Sequence, residues 1–310
     1  MPADVQDRRR AGTYTTSERL SRAWDKFSGY VFVAPGLIGL SLFFLFPLLF
    51  AFVMSMMSIS LVNPDNAAFA GFDNYRDSFS DPTFIRSLWN TILYAVIQTP
   101  LQTILGLSLA LLVQKSIRGI GIFRTLYYLP VVISMVVASV IWRIAYSPDA
   151  GLINSFLNLF GIPSQPFLAS SSQALVSVAG MLAWKWVGFS MIIFLAGLQS
   201  IPQDVYEAAR MDGASRWQQF RKMTLPLLKR TMLFVVVINT INSFKLFTPI
   251  LLITGGGPND STTVLVYYVY KEAFHYYNLG TASAGAVVLF GLVLGVLLVQ
   301  FRLFKTDVEY

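Results

Sequence analysis

The sequence predicts an all-α, polytopic membrane protein, and three observations support this. Hydrophobic residues make up 55% of the 310 positions and charged ones only 13%, against roughly a quarter in a soluble domain. The apolar residues gather into six runs, each of about 20 residues or more, the length a helix needs to cross the hydrocarbon core. Within each run the apolar character is continuous, whereas barrel strands would alternate, and a helix satisfies its own backbone in lipid.

The runs cover approximately 30–57, 88–113, 127–146, 173–198, 231–253 and 282–304. The first is too long for the core of a cleaved signal peptide and is expected to remain in the membrane, with Pro35 and Pro47 as tolerated kinks. The fourth carries Lys185 between Trp184 and Trp186 near its middle. An unpaired ammonium at that depth costs roughly 3 kcal/mol or more, so it needs water, a carbonyl or a substrate oxygen. The fifth carries Asn239, Thr240, Asn242, Ser243 and Lys245. At about 100° per residue the first four cover roughly 160° of one face, with Lys245 within reach. They read as a wet cavity wall, with interhelical hydrogen bonding as the alternative. In the sixth, Gly291 and Gly295 form a small-residue step that allows close packing.

Orientation follows from the basic residues, which are retained on the cytoplasmic side of span ends. Six lie in the amino-terminal tail, three in the loop after the second span, six in the loop after the fourth and two in the carboxy-terminal tail. The opposite side holds only Arg76, Arg86, Arg143 and Lys271. Both termini are therefore expected in the cytosol. The expected organisation is a cytoplasmic tail over 1–28, one six-helix domain over 29–305 with a cytoplasmic loop at 200–228, and a short tail over 306–310. The net charge of +7 reflects this topology and contact with an anionic leaflet, not nucleic-acid binding.

The loop contains VYEAARMDGASRWQQFRKMTLPLL, residues 205–228. Pro202 suits a first helical turn, Gln203 to Asp212 contains good helix formers, and Gly213 can close a helix in the left-handed region. Ser215 with Gln218 three residues on reads as a capping box that restarts the chain. Leu225-Pro226 is expected to end the second helix. The amphipathic alternative lays Trp217, Phe220 and Met223 into the headgroups. The other reading is a rigid docking element, in which small Ala208 and Ala209 admit a partner's cleft and Glu207 supplies a charged anchor.

Glu207-Ala208-Ala209, with Gly213 and then Leu225-Pro226 at their spacing, resembles the EAA signature of the membrane-spanning subunits of ABC-type importers. Tyr128-Leu129-Pro130 with Trp142, Gly151-Leu152-Ile153-Asn154 and the LITGGGP stretch over 252–258 are similar to carbohydrate permeases of the maltose and glycerol-phosphate type. The final QFRLFK suggests the first of the two permeases in such systems. The outer loop at 58–87 is short, so the large periplasmic insertion of the enterobacterial maltose subunit is absent.

The resemblance implies that Glu207, Ala208, Ala209, Asp212, Gly213, Leu225 and Pro226 couple the chain to a separate ATPase. It also implies a second permease, two ATPase copies, an extracytoplasmic solute-binding protein, and a sugar as substrate, a di- or oligosaccharide first and glycerol phosphate next. The setting is a bacterial cytoplasmic membrane. The chain holds no G-x-x-x-x-G-K-[ST] phosphate loop, so ATP hydrolysis is expected in a partner. In the outer segment at 264–277, Tyr267, Tyr268 and Tyr270 are candidates to meet the binding protein, with an interfacial aromatic belt as the plainer account.

The chain has no cysteine, which removes disulfides and thiolate metal sites, and no catalytic, metal or cofactor constellation is expected. All 16 acidic residues fall outside the spans, and the single histidine, His275, lies in an outer loop. A proton-coupled carrier generally needs a titrating group within the membrane, so an ion-coupled secondary transporter of a small polar solute is the secondary reading.

Overall fold

The computed structural model describes residues 29–115 and 118–304. The tails expected at 1–28 and 306–310, with their basic residues and Lys305, lie outside the described residues. The chain divides into two compact units, Met1–Val53 and Met54–Tyr310.

The first unit contains most of one helix, α1, over Gly29–Ser55. It widens into a π-helical turn at Ser41–Leu45, where the Phe46 N–H donates to the Ser41 carbonyl. Pro47 follows two residues later. It has no N–H for the carbonyl four residues back and its ring crowds that carbonyl, which a wider turn relieves.

The second unit opens with a short antiparallel pair, β1 (Met57–Ser58) and β2 (Ala68–Phe69), then α2 (Asp73–Ser80). The long helices follow as α3 (Pro82–Val113), α4 (Ile120–Val132), α5 (Met135–Ala145), short α6 (Leu152–Leu159) and α7 (Ala174–Gln199). After them come α8 (Gln203–Met211), α9 (Arg216–Leu227), α10 (Lys229–Phe244), α11 (Leu265–Phe274) and α12 (Leu279–Leu303). At the centre, α7 packs against α3, α4 and α10, and α10 lies against both α3 and α12. The approach of α4 to α7 depends on Gly188. A Cβ there would stand 2.8 Å from the Tyr128 Cα and closer still to the Tyr127 carbonyl.

Among the described residues, α1, α3, α7 and α12 are long and apolar enough to cross a membrane, and two bent pairs raise the number to six. Several expected boundaries shift for local reasons. The second span starts at Pro82 because Asp81 caps α3, its carboxylate accepting from the Thr83 N–H at 2.8 Å. The third span is not one helix. It breaks between Val132 and Met135, and its halves, α4 and α5, meet at 97°. The fifth ends its regular helix at Phe244 and resumes as a π-helical turn at Ile250–Thr254, next to Pro249. Gly291 and Gly295 of α12 have open space where a Cβ would lie, so this step packs against nothing among the described residues.

Candidate functional site

A cavity of about 200 Å³ lies between α3, α7 and α10. Asn239, Asn242, Ser243 and Lys245 of the fifth span line it. On α10 Asn239 and Ser243 are buried while Asn242 is exposed, and the helix stops at Phe244, so Lys245 and Pro249 line the cavity from irregular backbone. Asn239 is tied in place, its Nδ2 donating to Thr103 Oγ1 at 3.3 Å and its Oδ1 accepting from Ser190 Oγ at 3.4 Å.

Thr240, expected on this wall, lies elsewhere, and Lys185 takes the carbonyl-bonded of its expected alternatives. Thr240 faces the far side of α10, where its hydroxyl accepts from Gln300 Nε2 of α12 at 2.7 Å, an interhelical bond. Lys185 is 2% exposed and does not line the cavity. Its ammonium donates to the carbonyls of Pro130 (3.1 Å), Val131 (3.4 Å) and Ile133 at the break between α4 and α5, where Pro130 also accepts from the Ile133 N–H at 3.3 Å. It also stands 5.1 Å from the ring centre of Trp186. Of the three oxygens that could have served the ammonium, the carbonyl does.

The opposite wall was missed from sequence. Tyr94, Gln98 and Gln102 of α3 line the cavity, and all three are buried. They recur every four residues along one helical face, a spacing that would have disclosed them inside a run read only as apolar.

At the other end, α8, Gly213 and α9 form a sharp corner. Gly213 sits at φ +75°, a conformation easy for glycine alone. The capping box is present: Ser215 Oγ accepts from the Gln218 N–H at 3.3 Å, and Gln218 Oε1 accepts from the Ser215 N–H at 2.7 Å. The Tyr206 hydroxyl meets Thr224 Oγ1 at 3.0 Å and locks the two helices together. Glu207, Ala208, Asp212 and Gly213 face outward, while Ala209 is buried. Glu207 pairs only loosely with Arg210, at 3.8 Å. Met211 is 89% and Trp217 66% exposed. The second helix ends at Leu227, one residue past the expected Leu225-Pro226. A π-helical turn over Phe220–Thr224 precedes Pro226, as one precedes Pro47, and the helix runs on to Leu227 before bending 68° into α10. Leu225 is partly buried and Pro226 exposed.

The segment after Thr254 is pinned to α3. Arg86 Nη1 donates to the Asn259 carbonyl at 2.7 Å, and Asn90 Nδ2 donates to the carbonyls of Asp260 and Thr263, both at 2.9 Å. Of the three tyrosines expected at this surface, Tyr267 and Tyr268 are buried, and Tyr267 donates to the Gly255 carbonyl at 3.2 Å. Tyr270 is the accessible one, with ring contacts at 5.0 Å to Phe247 and 5.4 Å to Phe274. Beneath them, burial and then the charges of Glu272 and Asp81 push the Tyr268 phenol up. The Glu272 carboxyl is raised by burial and then by Asp81, with Lys271 opposing.

A helical core with a polar cavity, and a charged corner outside it, defines a membrane transport subunit. Residues 102–305 match the family described as the binding-protein-dependent transport system inner membrane component, and the chain belongs to that family. A probable ABC transporter permease of Bacillus subtilis (strain 168) is 36% identical over 289 residues, covering 92% of this chain and 98% of the relative. The sulfoquinovosyl glycerol transport system permease of Agrobacterium fabrum is 34% identical, covering 91% of this chain and 92% of its own length. The trehalose/maltose permease of Thermococcus litoralis is 33% identical, covering 90% and 95%. Among solved structures, a chain of a bacterial alginate ABC transporter, in complex with a periplasmic protein bound to an alginate pentasaccharide, aligns with a TM-score of 0.79. It is 26% identical and covers 94% of this chain and all of that one.

Proposed function

We propose that this chain is the translocation-pathway subunit of an ATP-binding-cassette importer that moves a sugar into the cell. The observation that carries this is the α8–Gly213–α9 corner, which turns Glu207, Ala208 and Asp212 away from the spans on a rigid two-helix support. An outward face of small and charged residues suits a protein cleft better than a bilayer. Membership of the family and relatives that transport sugars and sugar derivatives support the reading.

In this reading the six spans place both termini and the corner in the cytosol, and a second permease completes the pathway. Two ATPase subunits dock on the corners, and a solute-binding protein delivers sugar at the outer face, where Tyr270 is accessible. ATP favours the ATPase state that closes, the corner moves with it, and the spans exchange inward-open for outward-open forms. The ligand's differential affinity for the two states is what drives the exchange. Asn239, Asn242, Ser243 and Lys245 form one wall of the pathway. No carboxylate or imidazole lines the cavity among the described residues, so no observation favours the ion-coupled alternative.

The test is ATP-dependent uptake by the reconstituted complex. Glu207→Lys and Gly213→Pro are expected to leave the chain inserted and to abolish uptake. A cysteine at Ala208 is expected to crosslink to the ATPase subunit. Undiminished uptake by both variants, or no crosslink in an intact complex, would overturn the docking role.

A further inference from the structure

Gln98 and Gln102 lie one turn apart on α3 with both side chains on the cavity wall. Gln98 Nε2 donates to Gln102 Oε1 at 3.3 Å, longer than the usual 2.9–3.0 Å or so for such a bond. The remaining ends, Gln98 Oε1 and Gln102 Nε2, are buried and have no partner. One is an acceptor and the other a donor. Exchanging oxygen and nitrogen in both amides leaves the same inventory. Trp186 and Phe247 line the same cavity, giving it aromatic faces beside the amides.

Unpaired buried amide groups are costly, and native structures seldom keep them without a purpose. A helix-stabilising pair would need only the one bond that Gln98 and Gln102 already make. What the free ends fit is a molecule that donates from one hydroxyl and accepts at its neighbour, with an apolar ring face alongside.

We propose that Gln98 and Gln102 are specificity-determining residues that read two adjacent hydroxyls of the transported sugar, Gln98 Oε1 accepting from one and Gln102 Nε2 donating to the other. This rests on the sugar-importer reading and deepens it. Both free ends are closed to water in this state, so the hydroxyls reach them as the cavity widens around the substrate, displacing the long bond between the amides. A site whose polar groups are left unpaired by an analogue rejects that analogue strongly, so the pair selects vicinal diols over deoxygenated rings.

The test uses proteoliposomes of the complete importer with its binding protein, and maltose, trehalose and lactose as probes. For each sugar taken up, uptake is compared with its 2-deoxy and 3-deoxy analogues, in the parent complex and in Gln98→Met and Gln102→Met. Comparing this ratio between complexes that share one binding protein cancels that protein's own preference. The parent is expected to favour the full diol over at least one analogue by about tenfold or more, and each variant to narrow that ratio to within about twofold. Equal ratios in parent and variants, or a parent that takes sugar and analogues alike, overturn the amide pair and leave the sugar reading standing. No uptake of any of the three sugars overturns both. If one variant fails to assemble with its partner subunits, the other and the parent ratio still decide.

Discussion

The ammonium of Lys185 lies 3.1 Å from the carbonyl oxygen of Pro130, 55 residues earlier in the chain. With its bonds to the carbonyls of Val131 and Ile133, this ties α7 to the backbone at the 97° break. Lys185 is therefore the brace of the break between α4 and α5. Lys185→Met keeps the length and removes the donor. It is expected to lower stability by about 1–3 kcal/mol, the cost of leaving buried carbonyls unsatisfied, and to lower the Tm of the purified complex by a few degrees. A Tm unchanged from the parent would show that the break holds without it.

Gly188 offers a second test of the same region. A methyl group there collides with backbone at Tyr127 and Tyr128, which cannot rotate out of the way as a side chain would. Gly188→Ala is expected to force α4 from α7 at a cost of about 1–3 kcal/mol. Lower yield of assembled complex and a reduced Tm would report it; full yield at the parent Tm would contradict the packing.

Asn90 supports the loop that contains Asp260 and Thr263 across 173 residues of sequence. Asn90→Ala frees the carbonyls of Asp260 and Thr263, losing about 1–3 kcal/mol locally. Hydrogen exchange over residues 255–264 is expected to accelerate about tenfold or more, with α7 unaffected. Unchanged exchange in that loop would refute the anchoring.

Glu272 predicts a pH dependence. Its carboxyl is raised above the ordinary value of 4.5, first by burial and then by Asp81, against the opposing charge of Lys271. Between the unfolded and the raised folded value, the folded state holds a proton that the unfolded state has lost. Stability therefore falls as pH rises through that window and is greatest below it. Glu272→Gln removes this contribution. The variant is expected to show a flatter profile of Tm against pH from 4.5 upward, and a Tm no lower than the parent's at neutral pH. An unaltered slope would place the dependence elsewhere.

The corner over 200–228 could be read from sequence because its signals are local. Gly213, the Ser215–Gln218 box and the alanines act within a turn or two of themselves. The helix end expected at Leu225-Pro226 falls one residue on, at Leu227, because a π-helical turn before the proline keeps Leu225 helical. The break in the third span was hidden for the opposite reason. Its stabilising partner is Lys185, on another helix, and no periodicity in residues 120–145 announces a donor that far away. The cavity was half visible. Asn239, Asn242 and Ser243 stood out as a polar cluster, whereas Gln98 and Gln102 were diluted by the apolar residues between them. Thr240 shares the cluster's sequence but not its face, since only packing against α12 decides where that hydroxyl goes.

The elbow between α9 and α10 bears on how force would travel. Because the two axes meet at 68°, a thrust along α9 arrives at α10 mostly broadside. The span bearing Asn239 and Asn242 would then tip like a lever more than it slides like a piston. Stretching or straightening that joint, without touching any polar side chain, would detune the stroke.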